Sequence, residues 1–208
     1  MKNKLILFDW GNIVESHTTG YSCANAWKDL FKACGYKGDL VIYNNLSKYK
    51  FSRQKNINEL EEAYKKLATD YDFNTTFEEY SRLYKEIFSK IDSYQDVADY
   101  EKSLKDKCYI GIFSNLCIFD EERIDKQLDL SKYDYVFLSF KMGLRKPEKE
   151  IYEMVQKELP FEPQNILFID DKKDNIDGAF KIGWNTFQAT GLELDKIKQK
   201  CEEFLKGN

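Results

Sequence analysis

Lys4-Leu5-Ile6-Leu7-Phe8-Asp9-Trp10-Gly11-Asn12 is the stretch on which the reading of the fold turns. A short apolar run closes on a carboxylate and meets Gly-Asn, which predicts a strand buried on both faces that stops at a turn, with Asp9 at its C-terminal end. Three later runs repeat the pattern: Cys108 to Asn115, Tyr135 to Ser139, and Asn165 to Asp171. Each is apolar and ends on polar residues. Helical patterns lie between and after them, over Glu148–Leu159 behind Lys146-Pro147 and over Asn175–Ile182 stopped by Gly183. A short strand at Asn185–Thr190 and an amphipathic helix at Leu194–Leu205 complete the series. Alternating strand and helix predicts an α/β fold, a three-layer Rossmann-like parallel sheet.

Residues 18–103 break the alternation. Leu60, Ala63, Tyr64 and Leu67, then Phe77, Tyr80, Leu83, Tyr84, Ile87 and Phe88, recur at helical spacing with no comparable strand. We therefore expect a core of 1–17 and 104–208 with a helical cap, 18–103, inserted after the first strand. The insertion leaves from the strand end where open parallel sheets bind ligands, so it is placed to roof a site.

Composition narrows the function. With 42% hydrophobic residues, 15 Phe, 14 Tyr and 3 Trp in 208 residues, the chain can bury a core. The 32 basic and 36 acidic residues give a formal charge of −4, without the basic excess that phosphate-backbone binding needs, so no nucleic-acid partner is expected. Five scattered cysteines and one histidine, His17, assemble no zinc spacing. The apolar run from Leu5 to Phe8 is too short for a signal peptide or membrane span, so the expectation is a soluble, cytoplasmic protein without a membrane partner. Nothing in the pattern specifies an oligomeric state.

Four polar clusters fall at or just after strand ends: Asp9 with Gly11 and Asn12, Ser114 with Asn115, Lys146 before Pro147, and Asp170 with Asp171. Parallel strands sharing one edge would bring them together. Asp9 and Asp171 could hold a hard divalent cation, for a phosphate substrate usually Mg²⁺ with retained waters. Ser114 and nearby N–H groups could meet phosphoryl oxygens, and Lys146 adds a point charge that offsets the crowded anions. Blander roles fit the same residues: Ser114-Asn115 as a helix cap, Lys146 as a solvated lysine before a helix-starting proline.

Taken in order, Phe8-Asp9-Trp10-Gly11-Asn12, Phe113-Ser114-Asn115, Leu144-Arg145-Lys146-Pro147 and Phe168-Ile169-Asp170-Asp171-Lys172-Lys173-Asp174-Asn175 resemble the four motifs of the haloacid dehalogenase-like hydrolase superfamily. The first motif is most similar to that of its capped small phosphatases, a branch that includes bacterial α-D-glucose-1-phosphate phosphatase. The resemblance implies a Mg²⁺-dependent phosphatase acting on a small phosphorylated substrate through an aspartyl phosphate. It makes Asp9 nucleophile and metal ligand, Gly11 a carbonyl ligand, Asp171 the second carboxylate ligand, and Asp170 a ligand directly or through water. Ser114, Asn115 and Lys146 would bind the phosphoryl group, Lys146 serving catalysis as well. Most phosphatases of the family carry a second aspartate where this chain has Gly11. General acid–base help is worth about 10²- to 10⁴-fold, so its loss favours a weakly basic leaving group such as that of a sugar 1-phosphate. Glu15, His17, a cap residue or water are the candidates to replace it. The alternatives are a metal-independent 2-haloacid dehalogenase, which also lacks that aspartate, and a catalytically impaired binder of phosphorylated ligands.

The basic run Lys48, Lys50, Arg53 and Lys55, set among aromatic residues, reads as a solvated face or as an attractor of a phosphorylated substrate. Trp10, Trp27, Tyr43, Tyr49 and Phe51 read as packing or as walls of the site.

Overall fold

The computed structural model describes residues 2–16, 20–38 and 46–207. His17 and Tyr43 lie outside the described residues. Five strands, β1 (Leu5–Phe8), β2 (Tyr109–Ser114), β3 (Tyr135–Leu138), β4 (Ile166–Asp170) and β5 (Asn185–Gln188), form an all-parallel sheet in the order β3-β2-β1-β4-β5. The α/β, Rossmann-like expectation holds.

Period-2 alternation gives the central strands two apolar faces. Ile6 and Phe8 of β1, Ile110 and Ile112 of β2, and Leu167 and Ile169 of β4 join one core cluster. Leu5 and Leu7, Phe113, and Ile166 and Phe168 join another on the opposite face. The first face is covered by α4 (Gln95–Ser103) through Val97 and Ala98, by α5 (Glu121–Leu128) through Ile124 and Leu128, and by the C-terminal α9 (Leu194–Lys206) through Ile197 and Cys201. The second is covered by α7 (Lys149–Glu158) through Ile151, Tyr152 and Val155, and by α8 (Lys173–Lys181) through Ala179. Gly111 is required in mid-strand, since a Cβ there would lie 2.7 Å from Leu7 Cδ2 and 2.8 Å from the Tyr135 carbonyl oxygen.

A third cluster belongs to α1 (Cys23–Ala33), α2 (Ile57–Tyr71) and α3 (Phe77–Phe88). Ser22, Asn56 and Thr76 cap their N-termini by accepting from backbone N–H groups, which fixes where each helix begins. The cluster is aromatic at its heart, with the Tyr84 and Phe88 rings stacked at 4.0 Å and Trp27 edge-on to Phe88 at 5.0 Å. The expected limit of the insertion at residue 103 overshoots this cluster, because α4 spends its apolar face on the sheet. Helical spacing alone could not reveal which core α4 joins. Between β3 and α7 a four-residue turn of helix, α6 (Ser139–Met142), ends on Gly143 in the left-handed region (φ 72°), leading the chain toward Lys146. Among the described residues no helix is long and apolar enough to cross a membrane, and Cys23, Cys34, Cys108, Cys117 and Cys201 are buried and form no disulfide among the described residues.

Register sets up the site. Phe8 pairs with Ile112 on one side and Ile169 on the other, so the next residues along, Asp9 and Asp170, emerge beside each other while Ser114 ends the flanking β2. β1 is also where the chain order reverses across the sheet, the usual place for a ligand crevice.

Glu101, on α4, is fully buried with one carboxylate oxygen lacking a partner and the other accepting from Tyr133 Oη at 2.6 Å. Burial pushes its carboxyl up to about 8, the Tyr133 hydrogen bond working against it. The folded chain therefore keeps a proton that the unfolded chain loses from about pH 4.3 upward, and stability falls as pH rises through that window. Urea unfolding of Glu101→Gln should match wild type within about 1 kcal/mol near pH 5 and exceed it by a few kcal/mol near pH 9. Parallel pH profiles for the two proteins would show that Glu101 is ionised in the fold.

Candidate active site

The sheet's C-terminal edge gathers the predicted residues around one buried ammonium. Lys146 is 0% exposed, and its Nζ lies 2.6 Å from the Phe113 carbonyl oxygen, 2.6 Å from Asp170 Oδ2 and 3.1 Å from Asp9 Oδ1. All three ammonium protons thus have acceptors. The Phe113 and Phe168 rings stand 5.0 and 4.9 Å from the same atom. A solvated lysine is thereby excluded. Burial works against the Lys146 charge, but Asp170 and Asp9 outweigh it and hold the group protonated above its ordinary range.

Asp9 is 5% exposed, and its Oδ1 also accepts from the Trp10 N–H at 2.8 Å. Burial alone would raise its carboxyl, yet Lys146, a Ser114 hydrogen bond and the charge of Lys172 together pull it below the usual carboxylate value. The carboxylate is ionised and aimed. Ser114, buried at the end of β2, thus places its hydroxyl against Asp9.

The acidic doublet splits into two tasks. Asp170 Oδ1 accepts from the Lys172 N–H at 2.8 Å and from Asn175 Nδ2 at 2.9 Å, and its Oδ2 accepts from Lys146 and, at 2.9 Å, from Asn175. Both oxygens are saturated. Burial, with the Asp9 charge adding to it, pushes this carboxyl up to about 6 against the pull of Lys146. Asp171 is only half-buried; Asn12 Nδ2 holds its Oδ2 at 3.2 Å, while its Oδ1 is a buried oxygen without a partner. Asp9, Asp170 and Asp171 each offer an oxygen within 4.8 Å of the others. Among the described residues the one cation in contact with these carboxylates is Lys146, with Lys172 and Arg145 lining the same cavity but not ion-paired to them, so the cluster itself carries an excess of negative charge. An orphaned oxygen, hard donors and that surplus suit a divalent cation, so the residues fit Mg²⁺.

Asn115 has a structural task beside the one expected from the sequence. Its Nδ2 donates to the Lys146 carbonyl at 2.9 Å and its Oδ1 accepts from the Lys146 N–H at 2.9 Å. Both ends of the amide clamp the Lys146 backbone while the residue lines the cavity above Asp9. Asn175 and Asn12 went unassigned a role by sequence reasoning, although both stood inside the quoted motifs. Asn175 stands in the first turn of α8, five residues after Asp170, and its carbonyl accepts from Tyr152 Oη at 2.9 Å. Asn12 takes φ 59°, a left-handed conformation that asparagine tolerates, in the turn that closes with Asn12 N–H to Glu15 O at 2.8 Å. That turn carries Gly11, which lines the cavity above Asp9.

This cavity, about 260 Å³, has Asp9, Gly11 and Ser114 on its floor and Trp27, Phe51, Tyr84 and Phe88 from the helical layer as its roof. Glu15 and Asp120 also line it. Both are tied to the buried Arg123: its Nη1 meets Glu15, its Nη2 lies 2.6 Å from Asp120 Oδ1, and its guanidinium stacks 4.5 Å from the Trp10 ring. Tyr84 Oη donates to Asp120 at 2.9 Å, linking α3 to the segment behind β2. Arg123 and Asp120 gave no sequence signal, since their meeting depends on how α3 docks.

An all-parallel doubly wound sheet with a carboxylate, serine, lysine and acidic doublet on one edge defines a hydrolase class of α/β protein. The chain belongs to the haloacid dehalogenase-like hydrolase family, whose model matches residues 13–189. It is 28% identical over 120 residues to D-ribitol-5-phosphate phosphatase of Bacteroides thetaiotaomicron, covering 54% of this chain and 57% of that one. The chain thus spans little more than half the length of this curated relative. Its fold is similar to a HAD-like family hydrolase from Porphyromonas gingivalis (TM-score 0.76, 19% identity, all of both chains). It is also similar to a HAD family enzyme from B. thetaiotaomicron in complex with magnesium and inorganic phosphate (TM-score 0.68, 18% identity, 92% of this chain and 96% of that one).

Removing the ammonium while leaving its carboxylates should be costly: Lys146→Met is expected to lower metal-free stability by about 3–5 kcal/mol in urea. Adding Asp170→Asn, which removes the stranded charge, should recover much of the loss. Equal stabilities for Lys146→Met and wild type would mean that the buried ion pair does not organise the site.

Proposed function

We propose that the chain is a Mg²⁺-dependent phosphatase that hydrolyses a small phosphorylated metabolite, best a sugar phosphate with a weakly basic leaving group, through an aspartyl phosphate on Asp9. The observation that carries this reading is the unpartnered Asp171 oxygen beside an ionised Asp9 within one cluster of three carboxylates. The named activity of the B. thetaiotaomicron relative and the magnesium and phosphate in the similar structure support it.

In this reading Asp9, Asp171 and the Gly11 carbonyl hold the cation, and Asp170 supports the site from behind by fixing Lys146. Bound Mg²⁺ would neutralise phosphoryl oxygens and offset the carboxylates facing them. The free Asp9 oxygen attacks phosphorus; the bond from phosphorus to the leaving oxygen breaks, and water then hydrolyses the aspartyl phosphate, returning Asp9 and inorganic phosphate. Ser114 offers its hydroxyl to a phosphoryl oxygen. Lys146 keeps Asp9 ionised and oriented, and its charge counters that of the phosphoryl group. Because Gly11 has no proton to give, the departing oxygen leaves as an anion or takes its proton from water. Helices α1–α3 form the cap, and their aromatic walls limit the pocket to a small molecule and shield the acyl phosphate from bulk water. Buried cysteines that form no disulfide among the described residues suit a cytoplasmic setting.

A dehalogenase would share Asp9 and Gly11 but would leave the buried Asp171 oxygen without a ligand, which ranks it below the phosphatase. With a panel of sugar phosphates and Mg²⁺, wild type should release phosphate, EDTA should stop release, and Asp9→Asn should lower it at least ~10³-fold. Asn12→Ala, which unties Asp171, should raise the Mg²⁺ requirement about 10-fold. Metal-independent chloride release from a 2-haloacid, or equal phosphate release by wild type and Asp9→Asn, would overturn the assignment; ligand binding without turnover would leave only a binder.

A further inference from the structure

The basic run singled out in the sequence divides in the structure. Lys48 pairs with Asp70 at 2.7 Å, whereas Lys50 and Arg53 line a second, open cavity of about 780 Å³. Asn115, Arg145, Lys172 and Asn175 line both this cavity and the catalytic one, so the two are continuous. Its wall carries Lys50, Arg53, Arg145, Lys172 and Lys173 against Glu148 and Asp174. Glu148 is taken by Arg53, and Lys173 by Asp177 at 2.7 Å. Among the described residues, Lys50, Arg145 and Lys172 form no ion pair.

Exposed lysines without partners are ordinary, but Arg145 is not fully exposed. It is partly buried, and burial together with the neighbouring Arg53 charge pulls its pKa down. Arg53 and Arg145 line the same cavity, and of the two only Arg53 has a carboxylate in an ion pair with it among the described residues. A half-desolvated cation facing another cation is unfavourable until an anion enters between or beside them. Arg145 and Asp9 both line the catalytic cavity of about 260 Å³, so an anion held at Arg145 and a phosphoryl group on Asp9 would share one pocket.

We infer that Arg145, with Lys50 and Lys172 on the rim, receives a second anionic group of the same substrate whose phosphoryl group Asp9 attacks. This rests on the phosphatase reading and deepens it: the substrate is a phosphorylated metabolite carrying a further phosphate or a carboxylate. A planar guanidinium suits either, since it can donate two parallel N–H bonds. The assignment also meets the gap at Gly11, because a leaving group held by fixed cations needs less help from a proton donor.

The test compares kcat/KM for matched pairs in which the phosphate attacked sits on an anomeric carbon, glucose 1,6-bisphosphate against glucose 1-phosphate and glucuronate 1-phosphate against glucose 1-phosphate. Wild type should prefer the more anionic member of at least one pair by about 10-fold, as one charge-assisted contact would give, and the preference should shrink as KCl rises. Arg145→Gln should erase it and Arg145→Lys should keep part of it. Calorimetric binding of glucose 1,6-bisphosphate and glucose 1-phosphate to Asp9→Asn, with and without Arg145→Gln, reads the same contact without turnover. A preference unchanged in Arg145→Gln, in rate and in binding, overturns the inference while leaving the phosphatase standing. Absence of hydrolysis with Arg145-dependent binding of the bisphosphate would instead sink the catalytic reading and keep the anion site. Stimulation of glucose 1-phosphate turnover by free sulfate through Arg145, with no preference within either pair, would assign the site to a separate anion and overturn the substrate claim.

Discussion

A single buried ammonium holds this structure's working edge together. Lys146 carries a full charge at zero exposure because Asp9, Asp170 and the Phe113 carbonyl surround it. Remove any one of these and the cost of burying the others rises, since each charge is stabilised chiefly by the rest. The surrounding sequence serves that constraint. Asn115 clamps the Lys146 backbone, Asn175 and the Lys172 N–H fix Asp170, and Tyr152 holds Asn175 from the covering helix α7. Gly178 admits that tyrosine, as a Cβ there would stand 2.6 Å from its ring. The site is thus tied through α8 and α7 to the packing of one face of the sheet.

Much of this was legible in the residues, for a physical reason. Strands buried on both faces must read as unbroken apolar runs, and Leu5–Phe8, Tyr109–Ser114 and Ile166–Asp170 do so. Once such strands are parallel, residues at their C-terminal ends share an edge, and the approach of Asp9, Ser114, Lys146 and Asp170–Asp171 follows from topology. What could not be read is how each polar side chain divides its hydrogen bonds. Asn115 looked like a phosphate ligand by position, and its amide also matches the backbone of Lys146. Asp170 and Asp171 looked equivalent, and only the donors around them separate a saturated carboxylate from one with an orphaned oxygen. The end of the helical insertion was hidden too, because α4 has the same periodicity as its neighbours but packs on the sheet.

The helical layer and the rim impose the remaining chemistry. Aromatic side chains from α1 and α3 close over the carboxylate, and the Glu15–Arg123–Asp120 cluster pins that roof to the segment behind β2 through Tyr84. Opposite the roof, Arg145 and its basic neighbours leave the opening electropositive although the chain as a whole is acidic. An anionic ligand is drawn to that opening and away from the rest of the surface. In the proposed reaction Gly11 would decide which ligands turn over, since nothing at that position can protonate a departing alkoxide.

The central claim is that Asp9 and Asp171 share one cation and that Asp9 faces one tetrahedral oxyanion. A crystal structure with Mg²⁺ and beryllium fluoride tests it most directly. We expect the fluoroberyllate on an Asp9 carboxylate oxygen and the cation bridging Asp9 and Asp171, with Asp170 still bonded to Lys146. Fluoroberyllate absent from Asp9, or a cation bound elsewhere on the chain, would contradict it.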